Sequence, residues 1–405
     1  MEEVRFKVYP YRWVVLIAFM VIIAVNQLCW ITFAPITGRA AQFYGVSDLS
    51  IGFLSMIFMI VYIVISIPAS WIIDTYGIRI AVGIGAALTG VFGLMRGLLA
   101  TSYQYVLIAQ IGLAIGQPFI LNSITKVAAR WFPIEERATA SGLGSLAMYV
   151  GIIIGMALTP YMTIRTGIEG TLLLYGVASV IGAVIFFVLV REHPPTPPCP
   201  AGQEERALVF DGLKQMLKLK EFQRLMLIFF IGLGVFNGVT TWIENIVRPR
   251  GFSITQAGLT GGLMIVGGII GAVIVPMLSD RIGKRVPFII QALVGATLGF
   301  IGVTFAGSYW LLMTSAFVMG FFLLGVGPLG FQYGAEISYP APEGTSNGLL
   351  LLMGQISGVL FIFGMDGLKS PQTGSMTLPL VILIALMVLC TLLSVNLKES
   401  NLLRK

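Results

Sequence analysis

The feature that most constrains this chain is the recurrence of long apolar runs. A helix that crosses ~30 Å of hydrocarbon at ~1.5 Å per residue needs ~20 apolar residues. Runs of that length stand near 12–34, 51–73, 80–100, 104–130, 138–160 and 171–190, and again near 223–246, 256–278, 286–306, 310–335, 345–366 and 377–396. Only 11% of the 405 residues are charged against 57% hydrophobic, and the mean hydropathy is +0.92. A soluble domain of this size has no core able to hide so much apolar surface. The first run is longer than a signal peptide and lacks a small-x-small cleavage pattern, so it reads as a retained helix. The pattern predicts an all-α membrane protein with twelve transmembrane helices in two sets of six.

The long polar stretch, residues 191–222, divides the sets. It opens with Pro194, Pro195, Pro197, Pro198 and Pro200 and continues through Glu204, Glu205 and Arg206. In its last part Phe210, Leu213, Met216 and Leu217 recur at helical spacing among Lys214, Lys218 and Lys220. That composition suits an amphipathic segment lying on an anionic membrane surface. The expected organisation is an N-terminal six-helix half at 1–190, a cytoplasmic linker at 191–222 and a C-terminal half at 223–405. The net charge of +7 forms no contiguous face, since the basic residues flank apolar runs, and nucleic-acid binding is not expected. With both termini inside, nineteen of the 25 Lys and Arg residues fall on the cytoplasmic side and five outside, with Arg96 within a span. The positive-inside rule therefore places both ends in the cytoplasm of a cell membrane.

Cys29, Cys199 and Cys390 give no disulfide framework, and with the single His193 they offer no conventional zinc or bis-imidazole haem site. No metal and no cofactor are expected. Phosphate loops and nucleophile elbows are missing as well, so neither an enzyme nor an ATP-driven pump is indicated. The expected partners are a small-molecule substrate and the bilayer, with the protein acting as a monomer.

The halves are related by a shift of 206 residues. That offset lays Gly45-Val46-Ser47 on Gly251-Phe252-Ser253, Gly52 on Gly258, and Gly142 on Gly348. It also lays Asp74-x-x-Gly77-x-Arg79 on Asp280-x-x-Gly283-x-Arg285. Parallel six-helix repeats are the plan of one transporter architecture, with substrate held near the midplane. The two Asp-Gly-Arg loops, Asp74-Thr75-Tyr76-Gly77-Ile78-Arg79 and Asp280-Arg281-Ile282-Gly283-Lys284-Arg285, resemble the loop signature of the major facilitator superfamily. In such a loop a tight Gly turn joins two helix ends, and its carboxylate and cations are able to lock or release the halves. Arg130 and Glu336 share the same offset at the cytoplasmic ends of spans four and ten. Asp74, Arg79, Arg130, Asp280, Arg285 and Glu336 form the candidate gating set, with Arg130 and Glu336 expected to pair with the opposite half's loop when an inner gate closes; a plain structural salt bridge is the other reading.

A closer resemblance covers most of the chain. Trp13-Val14-Val15, Asn26 with Trp30, Phe43-Tyr44-Gly45-Val46, Leu54-Ser55-Met56 and Trp71-Ile72-Ile73-Asp74 are similar to the feline leukaemia virus subgroup C receptor family. So are Pro328-Leu329-Gly330-Phe331, Glu336, Tyr339-Pro340, Glu343-Gly344 and Ser346-Asn347-Gly348-Leu349-Leu350. The shorter chain resembles a bacterial or archaeal relative. The resemblance implies transport of choline, with haem an earlier proposal, through an aromatic cage for a quaternary ammonium. Trp30 matches the family's cage tryptophan, Met59 a cage-side methionine and Gln355 one of two glutamines. The cage tyrosine is replaced by Asn237, and Tyr149 stands where the second glutamine would be.

The residues alone also point to this region. Asn26 and Trp30, four apart, share a helix face, and Asn237, Thr240, Thr241 and Trp242 put polar groups into the seventh span. Polar groups in hydrocarbon line a cavity or find partners. Gln117, beside Pro118, either reaches the cavity or relieves the backbone that the proline frees. The candidate binding set is thus Asn26, Trp30, Met59, Gln117, Tyr149, Asn237, Trp242 and Gln355. Arg96 and Glu244 carry no assigned role; Glu244 is either a cation lure at the mouth or an interfacial carboxylate beside Arg248 and Arg250. The function read from the sequence is a secondary active or facilitative transporter that moves a small organic solute by alternating access through a central cavity. Two readings stay beside it, a proton-coupled exporter of amphipathic compounds and a non-transporting membrane sensor.

Overall fold

The computed structural model describes residues 7–133, 136–196, 216–338 and 343–399, and all regular structure among them is helical. In hydrocarbon each backbone N–H and C=O must be satisfied within its own segment, which a helix does. The elements are α1 (Tyr11–Ile31), α2 (Thr37–Tyr44), α3 (Asp48–Tyr76), α4 (Ile78–Leu98), α5 (Tyr103–Leu121), α6 (Ile124–Trp131) and α7 (Arg137–Leu189). They continue with α8 (Lys220–Thr241), α9 (Ile243–Val247), α10 (Ile254–Ile282), α11 (Val286–Phe305), α12 (Tyr309–Ser338), α13 (Glu343–Gly367) and α14 (Thr377–Val395). Eleven segments among the described residues are long and apolar enough to cross a membrane. The longest of them, Thr139–Leu189, has 51 residues and turns at Gly167, whose φ of 72° lies outside the helical region. It therefore supplies two spans, and the expected twelve are present. The expected gap between 160 and 171 is absent; helix continues on both sides of one left-handed glycine.

The fold class is all-helical, as anticipated above. Many exposed positions are apolar, as in Ile67, Val188 and Leu298, which suits segments long and apolar enough to lie in hydrocarbon. The linker residues Phe210, Leu213 and Lys214, with Cys199 and Arg206, lie outside the described residues. Cys29 and Cys390 are buried free thiols.

The chain forms two compact units. The first comprises the described residues of Met1–Thr32, Gln42–Gly45 and Ile57–Ala207; the second those of Phe33–Ala41, Val46–Met56 and Leu208–Lys405. In the first unit α1 and α4 pack on α7, and α4 also packs on α5, around Phe19, Ile22, Val82, Ile120 and Phe186. In the second, α10 and α11 pack on α12, and α8 packs on α13. The α10–α12 crossing is backbone on backbone. A Cβ at Gly271 would come within 1.8 Å of the Phe321 carbonyl oxygen, and one at Gly320 within 1.8 Å of the Met264 carbonyl oxygen. Small residues permit the close approach that drives helix association in lipid.

Candidate functional site

In the first unit the expected binding residues have distinct surroundings. Pro35 has no N–H for the Ile31 carbonyl, and its ring clashes there, so α1 ends at Ile31 and gives way to a turn of 3-10 helix at Ala34–Ile36. Trp30, one residue before that end, is 7% exposed. Asn26 is fully buried; its amide donates to Thr89 Oγ1 at 3.2 Å and to the Leu113 carbonyl at 3.3 Å, tying α1 to α4 and α5. Met59 is buried on α3. Gln117 is 7% exposed, and among the described residues its amide bonds to none, so it does not relieve the backbone around Pro118. Tyr149 is half-buried on α7.

In the second unit, Asn237 Nδ2 donates to the Gly354 carbonyl at 3.1 Å. This bond brings α8 against the turn of α13 that carries Gln355, which is half-buried. Trp242 is placed differently. Its ring is fully buried, its Nε1 donates to the Ile362 carbonyl at 3.1 Å, and a Cβ at Gly52 would come within 2.6 Å of it. Its faces and its donor are already used in packing.

The two signature loops are wired within their own units. Asp74 accepts from Lys126 Nζ at 2.7 Å. Arg79 uses its backbone N–H, which donates to Glu192 Oε2 at 2.7 Å, beside the Ile78 N–H to Oε1 at 3.1 Å. Arg130 makes no ion pair among the described residues. In the second copy Arg285 binds Asp280 and also Glu336, through Nε at 3.2 Å and Nη2 at 3.1 Å. Glu336 thus pairs with the loop of its own half. Burial alone would lower the Arg285 pKa; bonds to Asp280 and Glu336 outweigh it and hold the guanidinium above its ordinary value. Glu399 accepts the N–H groups of Arg285 and Val286, both at 3.0 Å.

A second ionic cluster belongs wholly to the second unit. One oxygen of Asp48 accepts from Arg248 Nη2 at 2.7 Å, Lys369 Nζ at 2.6 Å and Asn245 Nδ2 at 2.7 Å. Glu244, past the span Lys220–Thr241, accepts the Gly38 N–H at 2.9 Å and a 3.4 Å bond from Arg248. Burial raises the Glu244 pKa above its ordinary value, and Arg248 and the Gly38 N–H only partly offset that. A side chain at Gly38 would meet the Arg248 guanidinium, at 1.7 Å from a Cβ. Gly38 and Glu244 are 206 residues apart, so this contact joins equivalent positions of the two repeats.

Residues 17–362 match the family model of the Major Facilitator Superfamily. The chain belongs to that superfamily. Similar superfamily proteins include solute carrier family 49 member A3 of Danio rerio, 30% identical over 91% of this chain and 80% of the relative. The choline/ethanolamine transporter FLVCR1 of Felis catus is 29% identical over 96% of this chain and 74% of its own. Among solved structures, a bacterial homologue of the human lysosomal transporter Spinster, in an inward-facing and unoccupied conformation, aligns with a TM-score of 0.76 and 17% identity. That alignment covers 96% of this chain and 98% of the other, and it shows the shared fold.

Within this superfamily member, several residues escaped the sequence reading. Glu192 and Glu399 cap the helices that follow the two loops, and they stand 207 residues apart, one step from the repeat offset, which is the signal that would have found them. Asn122 gathers Tyr62, Ser66 and Ser70: the Tyr62 hydroxyl donates to its Oδ1 at 2.7 Å, and its Nδ2 donates to the two serine hydroxyls at 3.0 and 3.1 Å. The serines at 66 and 70 are four apart on α3, a polar helical stripe within an apolar run. Asp48 and Lys369, 321 residues apart, left no local signal.

Proposed function

We propose that this superfamily member is a transporter, facilitative or ion-coupled, that moves a small organic amine or quaternary ammonium such as choline by alternating access. The observation that carries this reading is Trp30: by resemblance it matches the cage tryptophan of a family one of whose choline/ethanolamine transporters aligns over 96% of the chain. A tryptophan face attracts a cation that has no hydrogen bonds to donate, by ~0.5–2 kcal/mol. In the first unit the proposed solute-facing residues are Trp30, Met59, Gln117 and Tyr149; in the second they are Asn237 and Gln355. Asn26 serves as an interhelical tie and Trp242 as packing. The protein acts as a monomeric carrier in the cell membrane with both termini cytoplasmic. A reporter active only in the cytoplasm, fused after Lys405, checks that orientation.

Purified protein in liposomes should take up radiolabelled choline saturably. Trp30→Ala should weaken apparent affinity up to about thirtyfold, with Trp30→Phe keeping part of it. Equal losses in both variants would remove the cation from the reading. Glu244 favours a second reading, proton-coupled export of amphipathic compounds, because a buried carboxylate whose pKa is raised is suited to exchange a proton during a transport cycle. Export of an amphipathic dye that follows an imposed pH gradient, and that Glu244→Gln uncouples, would select it.

A further inference from the structure

A charge buried in a membrane span needs a reason. Arg96 on α4 is fully buried. Its Nη1 donates to the Cys29 carbonyl at 2.9 Å and to Gln110 Oε1 at 3.0 Å, and its Nη2 to Thr32 Oγ1 at 3.5 Å. Gln110 Nε2 adds a 3.4 Å bond to the same Cys29 carbonyl. These acceptors lie where Pro35 stops α1. The last four carbonyls of a helix have no partner within it, and in hydrocarbon an unmet carbonyl costs several kcal/mol. The Thr32 hydroxyl takes the Leu28 carbonyl at 2.7 Å; Arg96 and Gln110 take the next one. The cation also faces the negative end of the α1 dipole, where positive charge is favoured.

We infer that Arg96 is a positioning residue: it fixes the broken end of α1 and thereby the orientation of Trp30, which lies between the two residues that it grips. The chain first passes from the first compact unit to the second between Thr32 and Phe33, so the grip falls on the last residues of the first unit's opening segment. No equivalent exists in the other repeat. The 206 offset places Gly302 at the Arg96 position, Ala316 at Gln110 and Thr241 at Pro35. There the helix runs on to Thr241, past Asn237, the position equivalent to the end of α1. The packing that seats α4 here is close: a Cβ at Gly97 would come within 2.6 Å of the Leu173 backbone, which keeps the guanidinium at the depth of the break.

The inference deepens the proposed function, since it rests on Trp30 meeting the solute, and its test has one arm that needs no solute. Hydrogen–deuterium exchange on the full chain in nanodiscs reads the amides of residues 30–37. Arg96→Gln should speed their exchange about tenfold, the scale of one lost charged hydrogen bond, while α5 and the distal part of α7 stay unchanged. Arg96→Lys, which keeps the charge but not the fork, should fall between, and it serves if the glutamine variant does not fold. Unchanged exchange at 30–37, or equal acceleration throughout α4 and α7, would overturn the positioning role. The second arm uses choline. Arg96→Lys should raise KM with kcat retained, and should raise it no further in a Trp30→Ala background. Additive losses would overturn the link to Trp30, whereas absence of choline flux in the unmodified protein would count against the proposed substrate and leave the exchange result to decide the role of Arg96.

Discussion

The two copies of the Asp-x-x-Gly-x-Arg loop have the same spacing and different wiring. In the first, the Asp74 side chain is 55% exposed and meets Lys126 from α6, while Arg79 contributes only backbone. In the second, the Arg285 and Glu336 side chains are 8% and 9% exposed, and Arg285 binds both Glu336 and Asp280. What they share is the helix cap, Glu192 in one and Glu399 in the other. A motif thus conveys the turn and the capped helix start; whether its charges become a buried network depends on the fourth and tenth spans, where Arg130 occupies one copy and Glu336 the other. Glu336 complements Arg285, and Arg130 has no complement in Arg79.

Substitutions can sharpen this contrast, beginning with the largest expected effect. Arg285→Ala would leave Glu336 buried and unpaired and should cost ~3–5 kcal/mol of stability, read as a fall in the thermal unfolding midpoint in detergent. Glu399→Gln and Glu192→Gln should cost similar, smaller amounts, ~0.5–2 kcal/mol each, because both remove a carboxylate from a helix N-terminus. A large difference between them would mean that the shared cap is not the common element. Asp74→Asn should cost less than ~1 kcal/mol, as expected of an exposed pair, and a cost matching that of Arg285→Ala would erase the asymmetry. The glycines separate the copies further. Gly77 and Gly283 both have positive φ, 85° and 70°, so alanine strains either turn. At Gly77 a Cβ would also come within 2.1 Å of Glu192, whereas nothing lies within 4 Å at Gly283. Gly77→Ala should therefore be the more damaging, by the loss of its cap.

The Asp48 cluster gives a pH dependence of opposite origin. Its Glu244 has a pKa raised above the ordinary value of 4.5 by burial. This arrangement therefore binds the proton more tightly than the unfolded chain does. Its contribution to stability is full below ~4.5 and is lost as pH rises through the raised value. The unfolding midpoint of the unmodified protein should fall over that window by more than that of Glu244→Gln; identical pH profiles would show that Glu244 does not titrate there.

The fold was legible because hydrocarbon leaves a chain few choices: apolar runs of spanning length and a fixed 206-residue offset were enough. The join between the fifth and sixth spans was misread as a gap, since Gly167 turns the helix without a polar loop. The candidate site was legible only where a residue kept a recognisable type. Trp30, Asn237 and Gln355 could be named from resemblance, but the sequence could not show that Asn26 spends its amide on Thr89 and Leu113, or that Trp242 spends its indole on Ile362. Those partners come from elements 63 to 120 residues away and carry no periodic trace. Arg96 was visible as an anomaly within a span; its purpose needed the coordinates of the Cys29 carbonyl at the end of α1.

The central claim, that the chain carries an organic cation past Trp30, is tested most directly by choline uptake into liposomes containing the unmodified protein, Trp30→Phe or Trp30→Ala. The account predicts saturable uptake whose apparent affinity declines in that order, by up to about thirtyfold at alanine. Absence of uptake by the unmodified protein, or the same affinity in all three, would contradict it.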